Sequence, residues 1–225
     1  MRLLQLQPVI FFASREEVNQ CDLEFDSVET GIGRVNASLK THQYLSNYSF
    51  GRVAKKVPLI INVGTCGSAI QIPEGSLVMP SDAISFDFSG KSFERTKIGT
   101  NDQTLSFFKR DITSFVDEDL HTFDATSIGK PNTLFTSDVF VNKDNFRAKK
   151  LARINRTASF YDMEASAIAK VCEQFHVPFI SIKIISDFGD IDCDGWEERA
   201  NKLKDKLTRA ANSYATLIQC YFNDF

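Results

Sequence analysis

Val177-Pro-Phe-Ile-Ser-Ile-Lys-Ile-Ile-Ser186 is the stretch on which the fold turns. It is a short run of β-branched and aromatic residues, apolar on both faces. That pattern suits a strand buried inside a sheet. Immediately before it, residues 163–175 read as an amphipathic helix. Ile168, Val171, Cys172 and Phe175 recur at spacings of three and four. One helical step back from Ile168, the stripe lands on Glu164, a carboxylate on an inward face where an unpaired charge is expensive. Helix followed by doubly buried strand is the signature of an α/β chain with a mostly parallel sheet.

Working outward, short apolar runs alternate with helical patterns. Residues 8–13, 57–63, 77–79 and 83–88 read as strands, the second closed by Gly64. Residues 34–48, 143–154 and 196–221 read as helices. The last carries Ala200, Leu203, Leu207, Ala210, Tyr214, Leu217 and Tyr221 on one stripe. Residues 91–130 have no decisive period. No Gly/Ser/Pro-rich linker divides the chain, so one domain over 1–225 is expected.

Ligands of such sheets bind beyond the carboxyl ends of the strands. Those ends deliver Ser14-Arg-Glu-Glu17, Gly64-Thr-Cys-Gly-Ser68, the polar cluster within 132–140, and Ser186-Asp-Phe-Gly-Asp190. Gly64 and Ser186 become candidate substrate contacts on this ground. Glu164, in the first turn of its helix, would face a ligand cavity, and the helix N-terminus would favour its ionised form.

The 225 residues carry a net charge of -3 with signs interspersed, which provides no pull toward nucleic acid or an anionic membrane. Hydrophobic residues make up 43%, which argues against disorder. The 20 phenylalanines read as core filling. Five cysteines, at 21, 66, 172, 193 and 220, form no C-x-x-C pair. That argues against a zinc site or disulfide framework and for a reducing, cytoplasmic setting. The N-terminal apolar run is broken by Gln5, Gln7 and Pro8 and reads as a first strand rather than a signal peptide. No apolar run is long enough to cross a bilayer.

Several motifs are weak alone. Gly64-Thr-Cys-Gly67 lacks the G-K-[ST] of a phosphate loop and would usually be a tight turn. Gly31-Ile-Gly33 lacks the third glycine of a dinucleotide fingerprint. The run from Asp190 to Gly195 fits the start of a calcium loop, but Asn201 stands where the bidentate glutamate belongs. It reads as a solvated loop, and no metal or organic cofactor is expected.

Taken together, the segments resemble the purine nucleoside phosphorylase and nucleosidase superfamily, most of all its 5′-methylthioadenosine/S-adenosylhomocysteine nucleosidases. The likeness is carried by Ala13-Ser-Arg-Glu-Glu-Val18, Thr30-Gly-Ile-Gly-Arg-Val-Asn-Ala37, Ile61-Asn-Val-Gly-Thr-Cys-Gly67 and Phe135-Thr-Ser-Asp-Val-Phe-Val141. Tyr161-Asp-Met-Glu-Ala-Ser166, followed by Ile-Ile-Ser-Asp187, is the most specific pairing. The resemblance implies a three-layer α/β/α sandwich around a mixed, mostly parallel sheet, usually in a homodimer. It implies cleavage of the N-glycosidic bond of a purine nucleoside, adenine with a 5′ substituent, as in methionine salvage.

By the same resemblance, Glu164 would hold the ribose hydroxyls with Met163 against the sugar, and Asp187 would protonate the purine at N7. Phe140 would stack on the base, the backbone of Val141 would read its edge, and Thr65 would lie near it. Glu17 would position the attacking water. For Asp187 to act as an acid near neutral pH its pKa must be raised, which burial beside Phe188 would supply. Phe88, Phe188 and Trp196 are candidate apolar walls for the 5′ group.

The chain departs from the pattern in places. Asn62 stands where phosphorylases of the superfamily hold phosphate with an arginine, with Arg15 and Arg34 as the remaining candidates for that task. Only residues 18–29 separate Glu17 from Thr30, where two strands are usual, and Lys183 replaces a common arginine. A phosphate-dependent phosphorylase and a non-catalytic nucleoside-binding protein are the alternatives.

Overall fold

The computed structural model describes residues 5–48, 56–86, 93–97, 115–142 and 158–223. The helix expected over 143–154 and the wall residue Phe88 lie outside them. Along the chain run β1 (Gln5–Phe12), β2 (Ser27–Glu29), α1 (Arg34–Asn47), β3 (Lys56–Ser68), β4 (Leu77–Val78), β5 (Asp82–Phe86) and β6 (Phe93–Lys97). There follow β7 (Thr122–Phe123), β8 (Thr133–Thr136), β9 (Phe160–Asp162), α2 (Ala165–Gln174), β10 (Phe179–Asp187) and α3 (Cys193–Asn223). The strands form one mixed, mostly parallel sheet in the order β6-β5-β8-β9-β3-β10-β4-β7, with β1 also on β3 and β2 beyond β1.

Both faces of the central strands are covered, as their unbroken apolar runs require. Ile180, Ile182 and Ile184 of β10 pack with Leu59, Ile61 and Val63 of β3 under Leu207, Ala210, Tyr214 and Ile218 of α3. The opposite parity, including Phe11, Ile60, Phe179 and Ile185, packs under Ala37 and Leu45 of α1 and Ile168 and Cys172 of α2. This is the three-layer α/β/α arrangement. Phe11, Phe12, Phe135 and Phe160 are fully buried, so these phenylalanines do fill core.

The feature that makes a site is a fork along one edge of β3. Its first half pairs with β1 from Lys56 to Asn62, and its last residues pair with β9 at Gly67 and Ser68. Between the two partners, no strand among the described residues pairs with Gly64, Thr65 and Cys66 on that edge. On the other edge β10 runs alongside up to Asp187, with a bulge between Ile185 and Asp187. Bulges locally re-aim side chains and recur beside functional sites.

Two expectations are corrected here. Gly64–Ser68 is not a turn: β3 continues through it, because β10 and β9 keep pairing with it. Glu164 is not inside the first turn of α2 but at its N-cap, one residue before Ala165.

Candidate active site

Glu17 fills the fork. Thr65 donates from its backbone N–H (2.7 Å) and its hydroxyl (2.8 Å) to Oε1, and Ala13 N–H donates to Oε2 at 3.1 Å. The carboxylate thus stands in for the missing strand, satisfying edge donors that would otherwise be orphaned. Gly64 makes room for it, since a Cβ there would lie 2.9 Å from Glu17 Oε1.

Facing it are Asp162 at the end of β9 and Glu164 at the start of α2. Asp162 Oδ2 accepts from Ala165 N–H (2.9 Å) and lies 3.0 Å from the Lys183 ammonium, while Oδ1 accepts from the Thr136 hydroxyl (2.7 Å). Both members of the ion pair are about 1% exposed. Asp162, not Glu164, therefore caps α2. Glu164 makes no side-chain bond to its own helix. Its Oε1 instead accepts from Gly33 N–H at 2.8 Å, just before α1. Gly33 sits at φ +91, a backbone conformation that favours glycine, and that turn aims its N–H at Glu164.

The charges explain what each group holds. Burial, then the neighbouring Asp162, pushes the Glu164 carboxyl up to about 8, against the lowering pull of Lys183. The expectation that the helix N-terminus keeps Glu164 ionised is thus reversed: the helix end is already capped by Asp162, and desolvation dominates. Burial alone would lower the Lys183 pKa, but Asp162, Glu164 and Glu17 together raise it, so its ammonium persists.

Asp187 completes the opposite wall. The Ser186 hydroxyl donates to Oδ2 (2.9 Å) and Gly189 N–H to Oδ1 (2.8 Å). Burial pushes its carboxyl above the usual aspartate value, although both hydrogen bonds oppose this. Phe188 does not provide that burial, being 38% exposed and outside the cavity lining. Its place is taken by Tyr161, whose own hydroxyl is driven upward first by burial and then by the Asp187 charge.

These residues surround a cavity of about 290 Å³. Glu17, Thr65, Phe140, Val141, Met163, Glu164, Ser186 and Asp187 all line it, so eight of the nine residues expected from the sequence meet in one place. Gly64 does not line it and acts from behind Glu17. Trp196 lines it as expected, together with Ile32, Tyr161 and Asp162, which sequence reasoning passed over. Lys183 was legible as a charge in the middle of a buried strand, a placement that demands a partner.

Among the described residues no Lys, Arg or His lines the cavity. Arg34 is bound to Asp138 through Nε (2.8 Å) and NH2 (2.6 Å), and to the Ser85 hydroxyl through NH1 (2.7 Å). Arg15 pairs with Glu29 at the surface. Asn62 is bonded inside the sheet, accepting from the Ser181 hydroxyl at 3.2 Å. The acidic run after Asp187 has local partners: Asp190 pairs with Arg199, and Asp192 accepts from Gly195 N–H. Among the described residues, no group of three or more His, Cys, Asp or Glu is arranged to hold a metal ion.

The model of one family, the Phosphorylase superfamily, matches residues 27–222. The chain belongs to the Phosphorylase superfamily. Its relatives include the 5′-methylthioadenosine/S-adenosylhomocysteine nucleosidase of Staphylococcus haemolyticus, 27% identical over 197 residues, covering 85% of this chain and 78% of that one. Among solved structures, the Helicobacter pylori 5′-methylthioadenosine/S-adenosylhomocysteine nucleosidase complexed with a substituted pyrrolidin-3-ol superposes with a TM-score of 0.65 at 19% identity over all of both chains. Futalosine hydrolase of Helicobacter pylori gives 0.64 at 19% identity over 99% of both. At these identities the superpositions establish a shared fold. No described helix is long and apolar enough to cross a membrane.

Proposed function

We propose that the chain hydrolyses the N-glycosidic bond of a purine nucleoside, adenine with a 5′ substituent such as methylthioadenosine or adenosylhomocysteine, and releases the base. The observation that carries this reading is the pairing, across one cavity, of a buried Asp187 whose carboxyl is pushed upward with the buried carboxyls of Glu164 and Glu17. It is supported by the nucleosidase relatives over most of the chain.

The chemistry follows from where charge develops. As the C1′–N9 bond breaks, its electron pair goes to the purine and positive charge grows on the ribose. Asp187 delivers a proton to N7, and its burial favours the protonated form that this step requires. The ribose hydroxyls donate to Glu164, which draws it toward its carboxylate form, its proton leaving to solvent. That charge then stabilises the growing cation in a site screened from water. Water attacks C1′ and gives a proton to Glu17, whose oxygens are held by Thr65 and Ala13. Phe140 stacks on the base, the Val141 backbone reads its edge, and Met163 packs against the sugar.

Water rather than phosphate fits an acid-lined cavity whose described walls carry no basic group. The reading takes residues 1–225 as a single domain, acting as a cytoplasmic homodimer in methionine salvage. Incubation with adenine nucleosides, with and without phosphate, tests it. Free adenine and free 5-substituted ribose are expected in both conditions. Strict phosphate dependence with a ribose 1-phosphate product would make the chain a phosphorylase. Binding with no released base would make it a nucleoside-binding protein.

A further inference from the structure

We propose that Trp196 is a positioning residue that acts on Glu17 through the Thr65 hydroxyl. The inference rests on the role given to Glu17 above. Trp196 Nε1 lies 2.8 Å from Thr65 Oγ1, and that oxygen lies 2.8 Å from Glu17 Oε1. An indole N–H can only donate, and a hydroxyl has one proton. With its lone pair engaged by the indole, the Thr65 hydroxyl points its proton at Glu17. The chain therefore has one polarity, indole to hydroxyl to carboxylate, and hydrogen bonds in series reinforce each other.

Two consequences follow. Among the described residues, Glu17 Oε1 receives two donors from Thr65, whereas Oε2 receives only Ala13 N–H, so the capacity left to accept from a water lies chiefly on Oε2. Residues 188–195, which lead from Asp187 to Trp196, are also tied to the site at both ends. Trp196 N–H donates to Asp192 O at 3.0 Å and Gly195 N–H to Asp192 Oδ1 at 2.9 Å, so the indole is carried on a capped helix start. Without its N–H, the Thr65 hydroxyl is free to rotate toward cavity water and Glu17 loses a fixed donor.

Trp196→Phe keeps an aromatic wall and removes the donor. The expected result is a kcat lower by about tenfold, of the order of one hydrogen bond, with KM changed less than about threefold. Thr65→Val should give a similar loss, and the double variant should lose no more than the worse single, because both break one chain. A raised KM with unchanged kcat would reduce Trp196 to a wall and overturn the proposal. Trp196 is the only tryptophan in the chain, so its fluorescence reads the bond without any turnover. Thr65→Val should shift the emission maximum while far-ultraviolet circular dichroism stays the same, and an unshifted maximum also overturns the proposal. Should wild type release no base from any nucleoside, the proposed function fails, and the fluorescence comparison still decides whether the chain of bonds exists.

Discussion

At the scale of single residues, two carboxyls can be separated by what they do with a proton. Asp187→Asn is nearly isosteric and keeps the hydrogen bond to a base, but has no proton to deliver. A kcat loss of about 10²–10⁴-fold is expected, with adenine affinity nearly unchanged by calorimetry. If Asp187 only shaped its turn, asparagine would serve as well, and a variant keeping more than roughly a tenth of wild-type kcat would sink the acid assignment. Glu164 makes its own prediction through stability. Its carboxyl is raised from 4.5 to about 8, so between those values the folded chain holds a proton that the unfolded chain has released. The stabilisation is complete below about pH 4.5 and is lost as pH rises through about 8. Glu164→Gln, fixed in the neutral shape, should melt above wild type at pH 9 and show no such gain at pH 5. An equal difference at both would place the proton elsewhere. The sequence stripe raised the question of an inward Glu164, but it could not assign the cap of α2. That fell to Asp162 because a side chain three residues before Ala165 reaches its N–H, a fact of geometry that helical periodicity does not encode.

At the scale of elements, β10 was legible from its apolar run, α2 and α3 from their stripes, and α1 as a helical pattern over 34–48, each to within a few residues. The first half of β3 was legible over 57–63, but its continuation through Gly64 to Ser68 was not, because glycine is depleted in strands. Contacts remote in sequence decide it. Tyr161 of β9 lies over Gly67, and a Cβ there would fall 1.8 Å from the Tyr161 ring. Gly67→Ala should therefore destabilise by at least about 1–3 kcal/mol, seen as a lower melting temperature, since neither a buried ring nor a central strand can yield cheaply. Lys183 of β10 and Asp162 of β9 join the two strands that flank β3. Lys183→Met would leave a buried carboxylate without its cation and should cost about 3–5 kcal/mol, read as a lower denaturant midpoint at constant m. Adding Asp162→Asn should recover part of that loss, because it removes the charge that was stranded. Independent, additive losses would mean that the pair does not hold β9 to β10.

At the scale of the whole molecule, one surface carries large apolar residues in the open. Ile32, Val35 and Leu39 are 46%, 67% and 66% exposed, and their spacing of three and four puts them on one outward stripe at and along α1. Single exposed apolar residues are ordinary, but a stripe of three large ones suggests a surface that meets another. Ile32 also lines the cavity, and Arg34 near it clasps Asp138 two residues beyond β8, so the stripe begins at the rim of the site. Two copies that met through this face would do so about a two-fold axis. Val35→Glu with Leu39→Glu would bring four carboxylates together at such an axis. Light scattering on a sizing column should give twice the chain mass for wild type and the single mass for the variant at the same micromolar concentration. The variant's melting temperature should lose its dependence on protein concentration, because folding and association are then unlinked. Neither substitution touches the core under Ala37 and Leu45, so a variant that unfolds outright would point to a chain whose fold depends on its partner, whereas a wild type of single mass at tens of micromolar would exclude the dimer.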